Sequence, residues 1–483
     1  MTEFRSRTVA GISWSVASQI GRHGTLAITT VILANLLSPR EFGLLAMITI
    51  ITRFAEVLTE LGFGSALVQK KQIYPIHLSS VFWVNLATGF VITGSLILAA
   101  PLVGEFYGEP ILVSLTMFVA LTFLVGSAGI VPQTLFTRDI DFRTIAIVET
   151  WAAVIAGVAA IGMAVGGFGV WALASQEVIR ATATTVLFWG YTDWRPSFRI
   201  SGSAITELTR FSLNLLGNRT LNYWSRQVDD LLIGRYIGSD ALGSYRMAYD
   251  IMLFPLRNVS RVISRVMFPS LSEIQDQEQK VKDIFLRVTR AIGLITFPLM
   301  LGLLATTEPF VLTVFGEDWR SMVPILRVLS LVGLVQSIGT LNGNLFMSQG
   351  RTDLQFRLGA AVKSFRILAI VIGLWWGVLG VTIAYGASVW LTAYPTFAYA
   401  GGLVDMTVGE LLRNLSGVFS TAALMALLVF GMGFLLPEDW PEWGRLATQV
   451  PTGILLYTGL IVLFDLETYR DVWALVTDEV SLR

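Results

Sequence analysis

Seven arginines and four aspartates stand between Arg219 and Arg265 in otherwise apolar sequence, and their spacing is helical. Arg219, Arg226 and Asp230 follow one another at intervals of seven and four. Beyond the turn Gly238-Ser239-Asp240, the residues Arg246, Asp250, Arg257, Arg261 and Arg265 follow at four, seven, four and four. Such intervals place each set on one face of a helix. A charged side chain facing acyl chains at mid-membrane costs about 2.5–3.5 kcal/mol even on the mildest scale. The stripes must therefore face protein or water, and they are read as lining a hydrated, net-positive cavity through which an anionic group passes.

Two earlier segments carry matching polar stripes: Ser15, Ser18, Gln19 and Arg22 on one, Arg53, Glu56 and Glu60 on the next. Guanidinium groups stay charged in any environment and grip phosphate in a fork. Arg22, Arg53, Arg219, Arg226, Arg257 and Arg261 are thus the candidate ligands of a diphosphate. The structural alternative is helix salt bridges, Arg53 with Glu56, Arg226 with Asp230 and Arg246 with Asp250. Arg257 and Arg261 have no acid between them, which favours a binding role. Arg235 and Arg265 sit near helix ends, where snorkelling to a headgroup accounts for them; Arg180 with Glu177, and Arg327, are read as structural. Glu56, Glu60, Asp229, Asp230 and Asp250 are the carboxylates placed to bind a coupling proton or sodium ion, with no choice among them. His23, beside Arg22, is read as a packed polar contact rather than a proton relay.

Composition excludes several chemistries. The chain holds no cysteine, which rules out disulfides, thiol chemistry, iron–sulfur clusters and thiolate zinc sites. Its two histidines, His23 and His77, lie far apart in sequence, so neither a metal site nor any other cofactor is expected. Arginine supplies 29 of the 34 basic residues and the formal net charge is zero. No nucleic-acid partner is expected from that balance.

The elements that must position these side chains are membrane helices. The chain is 54% hydrophobic and 14% charged, and apolar segments of some twenty residues recur throughout. Spans are expected near 9–37, 41–67, 79–103, 110–135, 145–165, 168–190, 208–237, 241–268, 285–306, 321–347, 355–375, 378–401, 411–436 and 447–465, fourteen in all. The start Met1–Arg7 lacks the pattern of a cleavable signal peptide. Twenty arginines and lysines fall in one set of loops, including Lys280, Arg287, Arg351, Arg357, Lys363 and Arg366. Only Arg40, Arg320 and Arg445 fall in the other set, which predicts both termini in the cytoplasm. The polar stretch 269–284 is read as a cytoplasmic linker helix. No loop is long enough for an extramembrane catalytic domain, and no enzymatic activity is expected.

The sequence also repeats. LLSPREFGLLAM at 36–47 and YIGSDALGSYRM at 236–247 align at an offset of 200 residues and share Gly43 with Gly243 and Met47 with Met247. Each copy falls between the first and second helices of a six-helix set. The expected organisation is all-α: an N-terminal lobe 1–200, a C-terminal lobe 201–402 related to it as a parallel repeat, and a segment 403–483 with two further helices.

Three loop motifs carry a resemblance. LGFGSALVQKK (61–71), FTRDIDFR (136–143) and VFGEDW (314–319), in that order on the span map, resemble the polysaccharide-transport branch of the multidrug/oligosaccharidyl-lipid/polysaccharide exporter superfamily. Within it the chain looks most like Wzx-type flippases of the colanic acid and teichuronic acid exporter kind, over residues 5 to 465. The resemblance implies a two-lobed transporter of the bacterial inner membrane. Such a protein turns a polyprenyl-pyrophosphate-linked oligosaccharide, an exopolysaccharide or O-antigen repeat unit, to the outer leaflet by alternating access. It implies membrane lipid, a polysaccharide polymerase and export machinery as partners, and a monomer. The alternatives are an ion-coupled small-molecule exporter of the same superfamily, which would want a cavity richer in carboxylates, and a membrane polymerase or glycosyltransferase, which would want a catalytic outer loop.

Overall fold

A computed structural model of the chain describes residues 21, 24–59, 67–68, 73–201, 223, 227–437 and 439–464. Its helices are α1 (Gly24–Leu36), α2 (Pro39–Thr59), α3 (Pro75–Tyr107), α4 (Ile111–Arg138), α5 (Phe142–Val165), α6 (Val170–Tyr191) and α7 (227–236). There follow α8 (Ser239–Glu273), α9 (Glu278–Ala305), α10 (Thr307–Val314), α11 (Met322–Gly339), α12 (Asn342–Ser348), α13 (Thr352–Gly373), α14 (Gly377–Gly401), α15 (Val408–Gly433) and α16 (Glu442–Leu463). There is no strand among the described residues. Eight helical stretches among these residues are long and apolar enough to cross a membrane, one of them the α13–α14 hairpin Thr352–Gly401 taken whole. Large apolar side chains such as Leu98, Leu427 and Leu455 are largely exposed, as lipid-facing surfaces require. The protein is therefore a multi-pass helical membrane protein.

Local sequence explains where these helices begin. Ser38-Pro39-Arg40-Glu41 opens α2 with proline in the first turn, and the Glu41 carboxylate accepts the Ser38 backbone N–H at 2.8 Å, one half of a capping box. Asp141 caps α5 by accepting from the Thr144 N–H at 3.1 Å. Thr407 and Glu410 form a full capping box on α15, and Lys282 of α9 binds the Glu410 carboxylate at 2.8 Å. Prolines inside α3, α4, α8, α9, α14 and α16 are accommodated as membrane helices allow.

The chain divides into two compact units, 1–243 and 244–483. In the first, α3, α4, α5 and α6 pack on one another, and the stripe Ala152, Ala156, Ala160 and Ala164 buries small residues along α5. After α6 the chain runs back over α3: Trp83 donates its indole N–H to the Ser197 carbonyl at 2.9 Å, and the Ser79 and Ser80 hydroxyls accept the N–H groups of Ser197 and Ser201 at 3.0 and 2.9 Å. In the second unit α9 packs against α11 and α15, and α13 pairs with α14 across a turn at Gly377, whose φ of 70° suits glycine.

One expectation needs correction. The polar stretch 269–284 is not a separate linker helix: α8 continues to Glu273 and α9 begins at Glu278, with a turn between them. Glu, Gln and Lys are good helix formers, so the neighbouring spans extend through them.

Candidate functional site

The charged stripe of α8 is held together by one carboxylate. Arg246 Nε donates to Asp250 Oδ2 at 3.1 Å, and Arg257 Nη1 lies 3.8 Å from Asp250 Oδ1. The intervals of four and seven bring all three to one face, and the group carries one net positive charge. Arg246 is mostly covered, with 20% of its side chain exposed, whereas Arg257 is half exposed. The pairing of Arg246 with Asp250 is the one the spacing offered. Arg257, which has no acid between it and Arg261, shares that same aspartate at the looser distance.

Tyr249, the residue before Asp250, extends the polar cluster across the second unit. Its hydroxyl lies 3.2 Å from the Tyr385 hydroxyl of α14, and Gln336 Nε2 of α11 donates to that same oxygen at 2.6 Å. The Arg366 guanidinium of α13 stands over the Tyr385 ring, 5.3 Å from its centroid. Arg366 Nε is buried and has no hydrogen-bond partner among the described residues. Sequence reasoning counted Arg366 with the cytoplasmic loop charges, yet it stands well inside α13. The signal was present, since the span expected at 355–375 already enclosed it. Gln336 and Tyr385 carried no spacing that would have singled them out.

In the first unit, Arg53 and Glu56 are both exposed on α2. Arg53 makes no ion pair among the described residues, so its bridge to Glu56 is not formed. Glu56 instead lies, with Glu149 of α5, in the electrostatic field of Arg180 of α6, which pairs directly with Glu177 as expected. Asp230 is buried and Asp229 partly so on α7. Arg22, His23, Glu60, Arg219 and Arg226 lie outside the described residues. Arg261 is placed on α8 by its backbone, and its side chain lies outside the described set. Among the described residues no group of three or more metal-ligating side chains is placed to hold an ion.

The described residues thus form a multi-pass helical membrane protein with charged side chains inside its helices. Residues 32–324 match the family described as "Polysaccharide biosynthesis protein", and the chain belongs to that family. It is 30% identical over 388 residues to the lipopolysaccharide biosynthesis protein WzxC of Escherichia coli (strain K12), covering 79% of this chain and 78% of that one. It is 28% identical to the teichuronic acid biosynthesis protein TuaB of Bacillus subtilis (strain 168), covering 96% of each. The fold is similar to that of the lipid II flippase MurJ in its inward closed conformation, with a TM-score of 0.70 at 16% identity, covering 95% of this chain and 99% of that one. The fold is also similar to that of an inward-facing multidrug resistance MATE family transporter, with a TM-score of 0.60 at 14% identity, covering 80% of this chain and 94% of that one.

Proposed function

We propose that this protein is a flippase that carries a polyprenyl-pyrophosphate-linked oligosaccharide, an exopolysaccharide or O-antigen repeat unit, from the inner to the outer leaflet of the bacterial inner membrane. The observation that carries the reading is the net-positive Arg246–Asp250–Arg257 cluster on α8, within a chain of the polysaccharide biosynthesis family. A diphosphate of charge near −2 needs more than one forked cation. Arg257 and Arg261, one turn apart, supply two, and Arg53, Arg22, Arg219 and Arg226 are the further candidates. Two lobes, 1–200 and 201–402, alternate in access, with helices near 411–436 and 447–465 beside them. Both termini lie in the cytoplasm, which the twenty-to-three bias of loop arginine and lysine supports. Coupling rests on a carboxylate among Glu56, Glu60, Asp229, Asp230 and Asp250, and the protein works as a monomer upstream of a polymerase and export machinery.

The test is surface polysaccharide, or translocation of a lipid-linked oligosaccharide, in a strain lacking its own flippase. Arg257→Ala with Arg261→Ala, at normal membrane levels, is expected to lower transport at least tenfold. Normal transport by that double variant would overturn the assignment of these arginines to the diphosphate.

A further inference from the structure

We infer that residues 193–200, the segment that follows α6, hold the headgroup of an anionic phospholipid of the inner leaflet, with Arg195 and Arg199 meeting its phosphate and Phe198 and Ile200 entering the acyl layer. The inference goes beyond the flippase reading and uses no residue assigned there to cargo or coupling.

Depth is the first reason. α3 has 33 residues, roughly 50 Å at the rise of an α-helix, against a hydrocarbon core of about 30 Å. About 10 Å at each end is therefore left for the headgroup layer. Ser79 and Ser80, which accept the backbone N–H groups of Ser197 and Ser201, stand four and five residues beyond Pro75. That is on the order of 6–8 Å from the start of α3. The segment is thus fixed at headgroup depth, at the end of α3 that the loop bias of arginine and lysine predicts to be cytoplasmic. Anionic lipid attracts basic segments at that face.

Anchoring is the second reason. Residues 193–200 form no helix or strand, yet Trp83 donates its indole N–H to the Ser197 carbonyl and stacks its ring on Phe198, with 5.1 Å between centroids. Arg195 Nη1 donates to the Thr192 and Trp194 carbonyls at 2.7 and 2.8 Å, and the guanidinium lies 5.5 Å from the Trp189 ring centroid. These bonds occupy one nitrogen of the fork and orient the others before a ligand arrives.

Surface and charge name the ligand. Phe198 is 89% exposed and Ile200 59%, although the backbone beside them is tied down. Arg195 and Arg199, both exposed, stand on either side of Phe198 in the sequence. Basic and large apolar side chains interleaved at a membrane surface make an interfacial anchor. Asp193, also exposed, offsets one of the arginines and leaves one net positive charge on the segment. That matches a singly anionic headgroup such as phosphatidylglycerol, whereas phosphatidylcholine would bring a further cation to the same place.

The experiment titrates the purified full-length protein in detergent with phosphatidylglycerol or phosphatidylcholine, with and without excess inorganic phosphate, and counts bound lipid by native mass spectrometry. The first phosphatidylglycerol is expected to bind at least tenfold more tightly than phosphatidylcholine, with or without phosphate. Arg199→Gln, which leaves the Arg195 and Trp83 anchors in place, should cut that preference at least threefold, and Arg195→Gln with Arg199→Gln should abolish it. Phe198→Ser should weaken both lipids alike and keep the preference. No cargo enters the measurement, so its outcome is independent of the flippase reading. Equal binding of the two lipids by the parent, or an undiminished preference in Arg199→Gln at an unchanged melting temperature, would overturn the proposal. Displacement of the lipid by inorganic phosphate would make this a free-anion site and overturn it too. So would a Phe198→Ser variant that binds both lipids normally but loses surface polysaccharide, which would give the face to a protein partner.

Discussion

Gly43 and Gly243 meet backbone to backbone in a reciprocal contact. A β-carbon on Gly43 would stand 1.8 Å from the Ser239 carbonyl oxygen, and one on Gly243 would stand 1.9 Å from that of Pro39. The partners, like the glycines, differ by 200 in number, so the first turns of α2 and α8 touch through equivalent atoms as in an isologous pair. Glu109 braces the junction, lying 3.4 Å from Arg40 Nη2 and accepting from the Ser239 hydroxyl at 3.2 Å.

Alanine at either glycine is expected to force these turns apart. The readout is a disulfide between Arg40→Cys and Asp240→Cys, in a chain with no cysteine of its own. It should form readily in the parent background and fall severalfold with Gly43→Ala or Gly243→Ala. Equal yields with and without the methyl group would show that the contact is not needed for closure.

Glu109→Gln should matter far less. Its partner Arg40 is more than half exposed, and pairs of that kind contribute about 0–1 kcal/mol. The melting temperature should shift by no more than a few degrees and the crosslink should persist.

Asp250→Asn separates two roles for the α8 cluster. Arg246 is largely covered and loses its charged acceptor, which should cost about 1.5–3 kcal/mol of stability. If Arg257 is a ligand, removing the shared carboxylate raises the local positive charge, and pyrophosphate should bind more tightly. A variant that melts lower and binds pyrophosphate no better would make the cluster structural.

Tyr385→Phe keeps the ring under Arg366 and removes the hydroxyl that Gln336 and Tyr249 share. Stability should fall by about 1–3 kcal/mol, the cost of leaving buried polar partners unpaired.

Reporter fusions after residues 75, 140, 200, 280 and 355 should report cytoplasm, and fusions after 40, 107, 240, 317 and 440 the outer side. Several inverted signals would break the two-repeat scheme.

The helices were legible in the sequence because hydrophobic length and capping are local properties. Ser38-Pro39-Arg40-Glu41 announces the start of α2, Asp141 that of α5, and the apolar runs give most of the described helices to within a few residues, with α9 beginning at Glu278 rather than near 285. Helical periodicity likewise put Arg246, Asp250 and Arg257 on one face, and the offset of 200 marked Gly43 and Gly243 as equivalent. What periodicity leaves open is the rotation of each helix about its own axis and the identity of its neighbour. Only the tertiary structure decided that α13 turns Arg366 onto Tyr385, that Tyr385 is already engaged by Gln336 and Tyr249, and that Arg257 reaches back to Asp250. Each of these depends on how packed side chains mesh or on the rotamer a long side chain adopts, and neither is written in the spacing of residues along one helix.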